Sequence, residues 1–254
     1  MVQPLIIRDI AIGEGIPKIC ASLIGETASQ LKEEAHVLIT ESVDVIEWRV
    51  DFFEKADDKS EVLQTLANIR SWIGNIPLVF TFRSKKEGGE KELEREAYIA
   101  LNKAAAKSGY ADIIDVELFN READVKELVE FAHAHKAAVI VSNHDFNKTP
   151  AKEEIISRLR KAQELGGDLP KIALMPQSMA DVITLLDAVQ TMKEQYADRP
   201  IIAMSMGGQG SISRIAGEAF GSALTFGAAK KASAPGQIPI KNLKTVLTIL
   251  HESL

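Results

Sequence analysis

The stretch LPKIALMPQS (residues 169–178) sets a lysine, Lys171, in a short apolar run. The run opens at Pro170 and continues through Ile172, Ala173, Leu174 and Met175. An ammonium group in a dry strand costs several kcal/mol unless it is paired. Two readings account for it. One is a buried ion pair between Lys171 and a glutamate. The other is a nucleophile: burial and flanking cations such as Arg49 and Arg83 lower an amine's pKa, and a neutral amine adds to a ketone or an aldehyde. The iminium so formed draws electrons and acidifies the adjacent C–H. His144, in SNHD (142–145), is the candidate for the matching proton transfer, its plainer alternative being a core or rim histidine.

Other apolar runs carry polar residues in the same way, always on one parity. IEWRVD (46–51) holds Glu47, Arg49 and Asp51 at alternate positions. VFTFRS (79–84) gives Thr81 and Arg83, IIDVEL (113–118) gives Asp115 and Glu117, and IVSNHD (140–145) gives Ser142 and His144. One such charge is ordinarily a solvated strand end. Five strands aiming both signs at one interior instead suggest a common site. The turn SMGGQGSISR (205–214) brings Arg214, a planar cation suited to a carboxylate or a phosphate. KKASAPGQIP (230–239) has the composition of a mobile loop and reads as a lid over the same mouth.

The elements that must position these groups follow from hydrophobic period. Val-, Ile- and Leu-rich runs at 18–24, 43–50, 77–83, 111–118, 137–144, 171–176, 200–206 and 222–228 read as strands. Amphipathic stretches at 28–41, 91–107, 125–136, 151–165, 179–196 and 240–253 read as helices. Thr149 and Pro150 are placed as N-cap and first residue of the helix from 151. Eight strands alternating with helices in 254 residues predict an α/β fold, a single (β/α)8 TIM barrel over residues 1–254. PLIIRDIAIGEG (4–15) alternates like a hairpin and is expected to plug the bottom of the barrel.

Composition narrows the function. A net charge of −6 with no basic block argues against nucleic acid as a partner. No apolar run reaches the ~18 residues a membrane helix needs. The first residues lack a basic segment before an apolar one, so no signal peptide is read and a cytoplasmic location is expected. The single cysteine, Cys20, reads as a small core residue, and His36, His133, His135 and His251 as ordinary helix residues. No ligand spacing supports a metal site.

EWRVDFFE, FTFRSKKEGGE, SNHDFNKTP, PKIALMPQS, PIIAMSMG, ISRIAGEAFGSALTFGA and KASAPGQI, in this order along nearly the whole chain, resemble type I 3-dehydroquinase, also called 3-dehydroquinate dehydratase. The resemblance implies a (β/α)8 barrel, usually a homodimer, that needs no metal or cofactor. It implies syn elimination of water from 3-dehydroquinate to 3-dehydroshikimate in the shikimate pathway. Lys171 would form the Schiff base, His144 would be the general acid/base, and Glu87 would orient and tune that histidine. Glu47, Arg49 and Arg83 would hold ring hydroxyls. Arg214 would clamp the carboxylate, helped by Ser233 and Gln237 of the lid, while Ser22, Met204 and Met206 would line the pocket. Such a substrate has no phosphate, so the glycine turn is assigned no role. The alternatives are another lysine Schiff-base barrel, such as an aldolase, and a barrel that binds a polyol acid without turnover.

Overall fold

The computed structural model describes residues 2–229 and 232–254, so Lys230 and Lys231 of the expected lid lie outside the described residues. The chain opens with an antiparallel hairpin, β1 (Leu5–Ile7) and β2 (Ile10–Ile12). Arg8 makes its turn with a positive φ of 53°. There follow β3 (Lys18–Leu23), α1 (Ala28–Thr40), β4 (Val45–Arg49), α2 (Lys59–Ile73), β5 (Leu78–Thr81), α3 (Arg95–Ser108) and β6 (Ile113–Glu117). Then come α4 (Glu122–Ala134), β7 (Ala138–Asp145), α5 (Lys152–Glu164), β8 (Leu169–Leu174), α6 (Met179–Gln195) and β9 (Ile202–Ser205). The chain ends with α7 (Ser211–Ile215), α8 (Gly217–Phe220), β10 (Leu224–Ala228), β11 (Ile238–Pro239) and α9 (Ile240–His251).

Each strand from β3 to β9 pairs in parallel with the next, and β10 returns to pair with β3. The remaining seam is closed where Ile201 bridges Ser222 and the Ala223 amide donates to the Ile201 carbonyl at 2.8 Å. This is the eight-stranded barrel expected, with β11 added alongside β10. Helices cover the outside through the apolar stripes of their inner faces, such as Leu31, Ala35 and Leu38 of α1. The lumen changes character along each strand. Val45, Val79, Ile113, Ile140 and Leu169 fill its lower half. Two residues further on, at the same parity, stand Glu47, Thr81, Asp115, Ser142 and Lys171. Pleat geometry alone therefore turns an apolar floor into a charged layer near the C-terminal strand ends.

The hairpin sits under that floor. Ile12 is fully buried against the lower lumen residues, with Leu5, Ile7 and Ile10 packed around it. Arg8 fixes the turn through Asp112 at 2.8 Å and Asn75 at 2.9 Å.

Several boundaries differ from those read in the sequence. β8 opens at Leu169, one residue before Pro170, so Lys171 is its third residue and not an early one beyond a proline break. α2 was absent from the expected helices, although Asp58 caps it and Val62, Leu66, Ile69 and Ile73 form its buried stripe. α3 begins at Arg95, not at 91, because Lys91 bridges to Ser84 and its ammonium donates to the Phe53 and Glu54 carbonyls. The N-cap of α5 is Ala151. Thr149 instead donates its hydroxyl to the Met175 carbonyl at 3.2 Å, tying the β7–α5 loop to the end of β8.

Candidate active site

Every residue to which the resemblance gives a role, except Ser22, lines one open cavity of about 170 Å³ at the C-terminal mouth of the barrel. Ser22 stands beside it, donating to Glu47 Oε2 at 2.6 Å and accepting from Ser233 at 3.0 Å. Phe146 and Phe226 add apolar wall that the sequence had not assigned.

Lys171 is 5 % exposed. Its Nζ lies 3.5 Å from Asp115 Oδ2 and 3.8 Å from Glu47 Oε1, and 4.6 Å above the centre of the Phe226 ring. The cations expected to flank it are otherwise engaged. Arg49 forms a two-point pair with Asp51 at 2.8 and 2.7 Å. Arg83 is enclosed by acids: Nη2 meets Asp115 at 2.8 Å, and Nη1 meets Glu117 at 2.9 Å and the Ser142 hydroxyl at 2.9 Å. Burial alone would pull the Arg83 guanidinium down, but Asp115, Glu117, Glu87 and Glu47 outweigh it and push its pKa up. Carboxylates are thus the groups paired with the lysine, while Arg49 and Arg83 line the same cavity with their charge largely taken up by acids.

Glu87 reaches the mouth from the loop after β5, at the end of a single 3₁₀ turn (Lys85–Glu87). Gly88 follows with φ 83°, and a side chain there would meet the Phe146 ring at 2.3 Å. This tight return brings Glu87 Oε2 to 2.9 Å from His144 Nδ1 and lets it accept the His144 backbone N–H at 3.0 Å. The histidine ring is held by one nitrogen, which leaves Nε2 for a ligand. Burial pushes the Glu87 carboxyl up to about 8, against the pull of Arg83 and with help from Glu117 and Asp115. Burial, Arg83, Lys171 and Arg49 hold the His144 imidazole well below its ordinary range. Both shifts keep charge off a dry pair.

Arg214 enters from α7, at the end of the glycine turn, and is 1 % exposed. Nη2 donates to the Pro235 carbonyl at 3.1 Å, Nη1 rests 3.6 Å from the Met204 sulfur, and Nε has no partner among the described residues. Among the described residues no carboxylate pairs with it, and burial lowers its pKa to about 10. Residues 232–237 cross the mouth above it. The Gly207 amide donates to Pro235 at 3.1 Å, and Ser233 and Gln237 bond each other at 2.9 and 3.0 Å. The glycine turn, assigned no role from sequence, is the seat of this segment: a side chain at Gly236 would collide with the Gly207 carbonyl oxygen at 2.1 Å.

A family model described as type I 3-dehydroquinase matches residues 19–254. The chain belongs to the type I 3-dehydroquinase family. The 3-dehydroquinate dehydratase of Bacillus licheniformis is 61 % identical over 98 % of both chains, and that of Listeria welshimeri is 56 % identical over 98 % of both. The solved type I 3-dehydroquinate dehydratase of Clostridium difficile, determined with covalently modified comenic acid, superposes with a TM-score of 0.98 at 55 % identity over the whole of both chains. The solved 3-dehydroquinate dehydratase of Enterococcus faecalis gives 0.91 at 40 % identity, over 97 % of this chain and 99 % of the other. The 3-dehydroquinase fold therefore accounts for the barrel, the hairpin and the order of the strand-end blocks. Among the described residues, no group of three or more His, Cys, Asp or Glu is arranged to hold a metal ion, and no helix is long and apolar enough to cross a membrane.

Proposed function

We propose that this chain eliminates water from 3-dehydroquinate to give 3-dehydroshikimate, a step of the shikimate pathway, through a Schiff base on Lys171. The observation that carries the reading is a pairing of unlike groups across one small cavity. Arg214 is a buried guanidinium with no acid partner among the described residues, so it calls for an anionic group on the ligand. Lys171 is an amine held in reach of the same space, so it calls for a carbonyl. A cyclic keto acid with hydroxyls meets both demands.

In this reading Arg214 takes the substrate carboxylate, and the Ser233 and Gln237 side chains close over it. Asp51 takes the Nε–H and one N–H of Nη2 of Arg49, so the other Nη hydrogens are left for a ring hydroxyl. Arg83 and Glu47 hold hydroxyls on the other rim, while Ser22 orients Glu47. Met204, Met206 and Phe226 pack the ring and exclude water. Lys171 attacks the ketone. His144, with Glu87 behind Nδ1, passes protons through Nε2 during imine formation, C–H abstraction, departure of the hydroxyl and imine hydrolysis. The family's homodimer and a cytoplasmic location belong to the same reading, and a light-scattering mass of one chain overturns the dimer.

The test is intact mass after borohydride reduction, with and without 3-dehydroquinate. A gain matching the reduced imine is expected, mapped to the peptide of Lys171 and absent in Lys171→Ala. An adduct that survives in Lys171→Ala assigns the nucleophile elsewhere. In His144→Ala the adduct still forms slowly while kcat falls by about 10²–10⁴-fold, the range of general acid–base catalysis. A near-normal kcat in that variant removes the histidine from the mechanism.

A further inference from the structure

Of Glu47 and Asp115, the two carboxylates beside Lys171 Nζ, only Asp115 has an oxygen with no hydrogen-bond partner among the described residues. Glu47 Oε1 accepts from Thr81 at 2.9 Å and Oε2 from Ser22 at 2.6 Å. Asp115 Oδ1 takes Arg83 Nη2 at 2.8 Å and the Ser142 hydroxyl at 2.6 Å. Asp115 Oδ2 is buried, has no hydrogen-bond donor among the described residues, and faces Lys171 Nζ at 3.5 Å. Two donors on Oδ1 fix the carboxylate, so Oδ2 is held toward the amine. On another side of Nζ the Phe226 ring offers its electron-rich face at 4.6 Å. Both neighbours favour positive charge on that nitrogen.

We propose that Asp115 is the counter-ion of the Schiff base, holding the positive charge on the Lys171 nitrogen once it is bound to the substrate's ketone carbon. The inference rests on the Schiff base proposed above and adds a residue to it. In that step the nitrogen lone pair forms the C–N bond while the carbonyl π pair moves to oxygen, which takes a proton. The nitrogen gives up one of its two protons and regains a lone pair; after a second protonation the oxygen leaves as water, and that nitrogen pair becomes the second C–N bond. The nitrogen then carries one hydrogen and a positive charge. Loss of the adjacent C–H proton sends an electron pair to nitrogen and neutralises it as an enamine. Departure of the ring hydroxyl as water draws the pair back and restores the charge. A fixed carboxylate at Oδ2 favours both charged imines over the neutral enamine, and it favours protonated over unprotonated imine. Burial pushes the Asp115 carboxyl up, but Arg83 and Lys171 outweigh burial and hold it below its usual range, so it stays an anion and is a poor base.

The experiment is isotope-edited infrared spectroscopy of the enzyme with 3-dehydroquinate carrying carbon-13 at the ketone carbon, in H2O and in D2O. A protonated C=N stretch moves down in D2O and an unprotonated one does not. The wild type is expected to show the D2O shift. Asp115→Asn is expected to give the borohydride adduct without the shift, with kcat lower by about 10- to 100-fold, the weight of one to two pKa units from a neighbouring charge, and KM within about threefold. A merely structural role would lower the amount of adduct and leave its protonation alone. An adduct whose D2O shift is unchanged in Asp115→Asn overturns this inference and leaves the Schiff base standing. A wild type that gives no adduct overturns both. Asp115→Ser is read by the same outcomes if the asparagine variant does not fold.

Discussion

Burial pushes Glu87 and His144 in opposite directions, and the signs make the pair visible in stability. Folding raises Glu87 from an ordinary carboxyl value of 4.5 to about 8. The native state then holds a proton that the unfolded chain has released, so this stabilisation is full at low pH and is lost as pH rises through about 8. Folding lowers His144 from 6.5, so below that value the unfolded chain holds the extra proton and the histidine opposes Glu87. Between pH 6.5 and about 8 Glu87 acts alone of the two. Over that interval the wild type is expected to lose about 2 kcal/mol of stability, at roughly 1.4 kcal/mol per pH unit. In Glu87→Gln, whose amide does not titrate, the urea midpoint is expected to stay flat. An equal slope in both proteins assigns it to another group. The same dry surroundings suit the proposed chemistry, since a pair that resists charge gives up and takes back protons near neutral pH.

Elements set what the sequence could disclose. The strands were legible because a lumen residue recurs at every second position: Val45, Glu47 and Arg49 fall on one line, as do Ile140, Ser142 and His144. The same parity had marked Asp115, but a strand acid among several carries no sign of which oxygen will face the lysine. Glu87 lies beyond the period altogether, on a 3₁₀ turn whose course is fixed by Gly88 against Phe146, and the family motif alone brought it forward. The glycine turn, left without a role by the resemblance, seats residues 232–237 over the mouth. That contact gives a prediction. Gly236 has φ 77° and no room for a side chain beside Gly207, so Gly236→Ala should lift Pro235 from Arg214. KM is expected to rise by about tenfold, equivalent to about 1.4 kcal/mol, with kcat less affected. Gly208, where an added Cβ meets nothing within 4 Å, is the control, and Gly208→Ala should leave KM unchanged. Equal KM values for the two variants would show that the seating of the lid does not set the grip of Arg214.

At the scale of the whole molecule the barrel separates two tasks along its axis. The mouth collects buried charge, which seldom stabilises a fold relative to well-packed apolar groups. The lower lumen is apolar and sealed by the hairpin through Ile12. In a (β/α)8 barrel the end that carries the N-termini of the strands supports stability, whereas the C-terminal end carries activity. Ile12→Ala should therefore cost about 2–5 kcal/mol through lost burial and the cavity left behind. Its kcat, measured at a temperature where the variant is still folded, should stay within about twofold of the wild type, because the charged layer is anchored by its own pairs among Arg83, Asp115, Glu117 and Ser142. Urea midpoints and turnover taken on the same preparations decide the matter. A variant that keeps its stability shows that the hairpin does not seal the floor, and a folded variant that loses turnover shows that the floor helps shape the mouth.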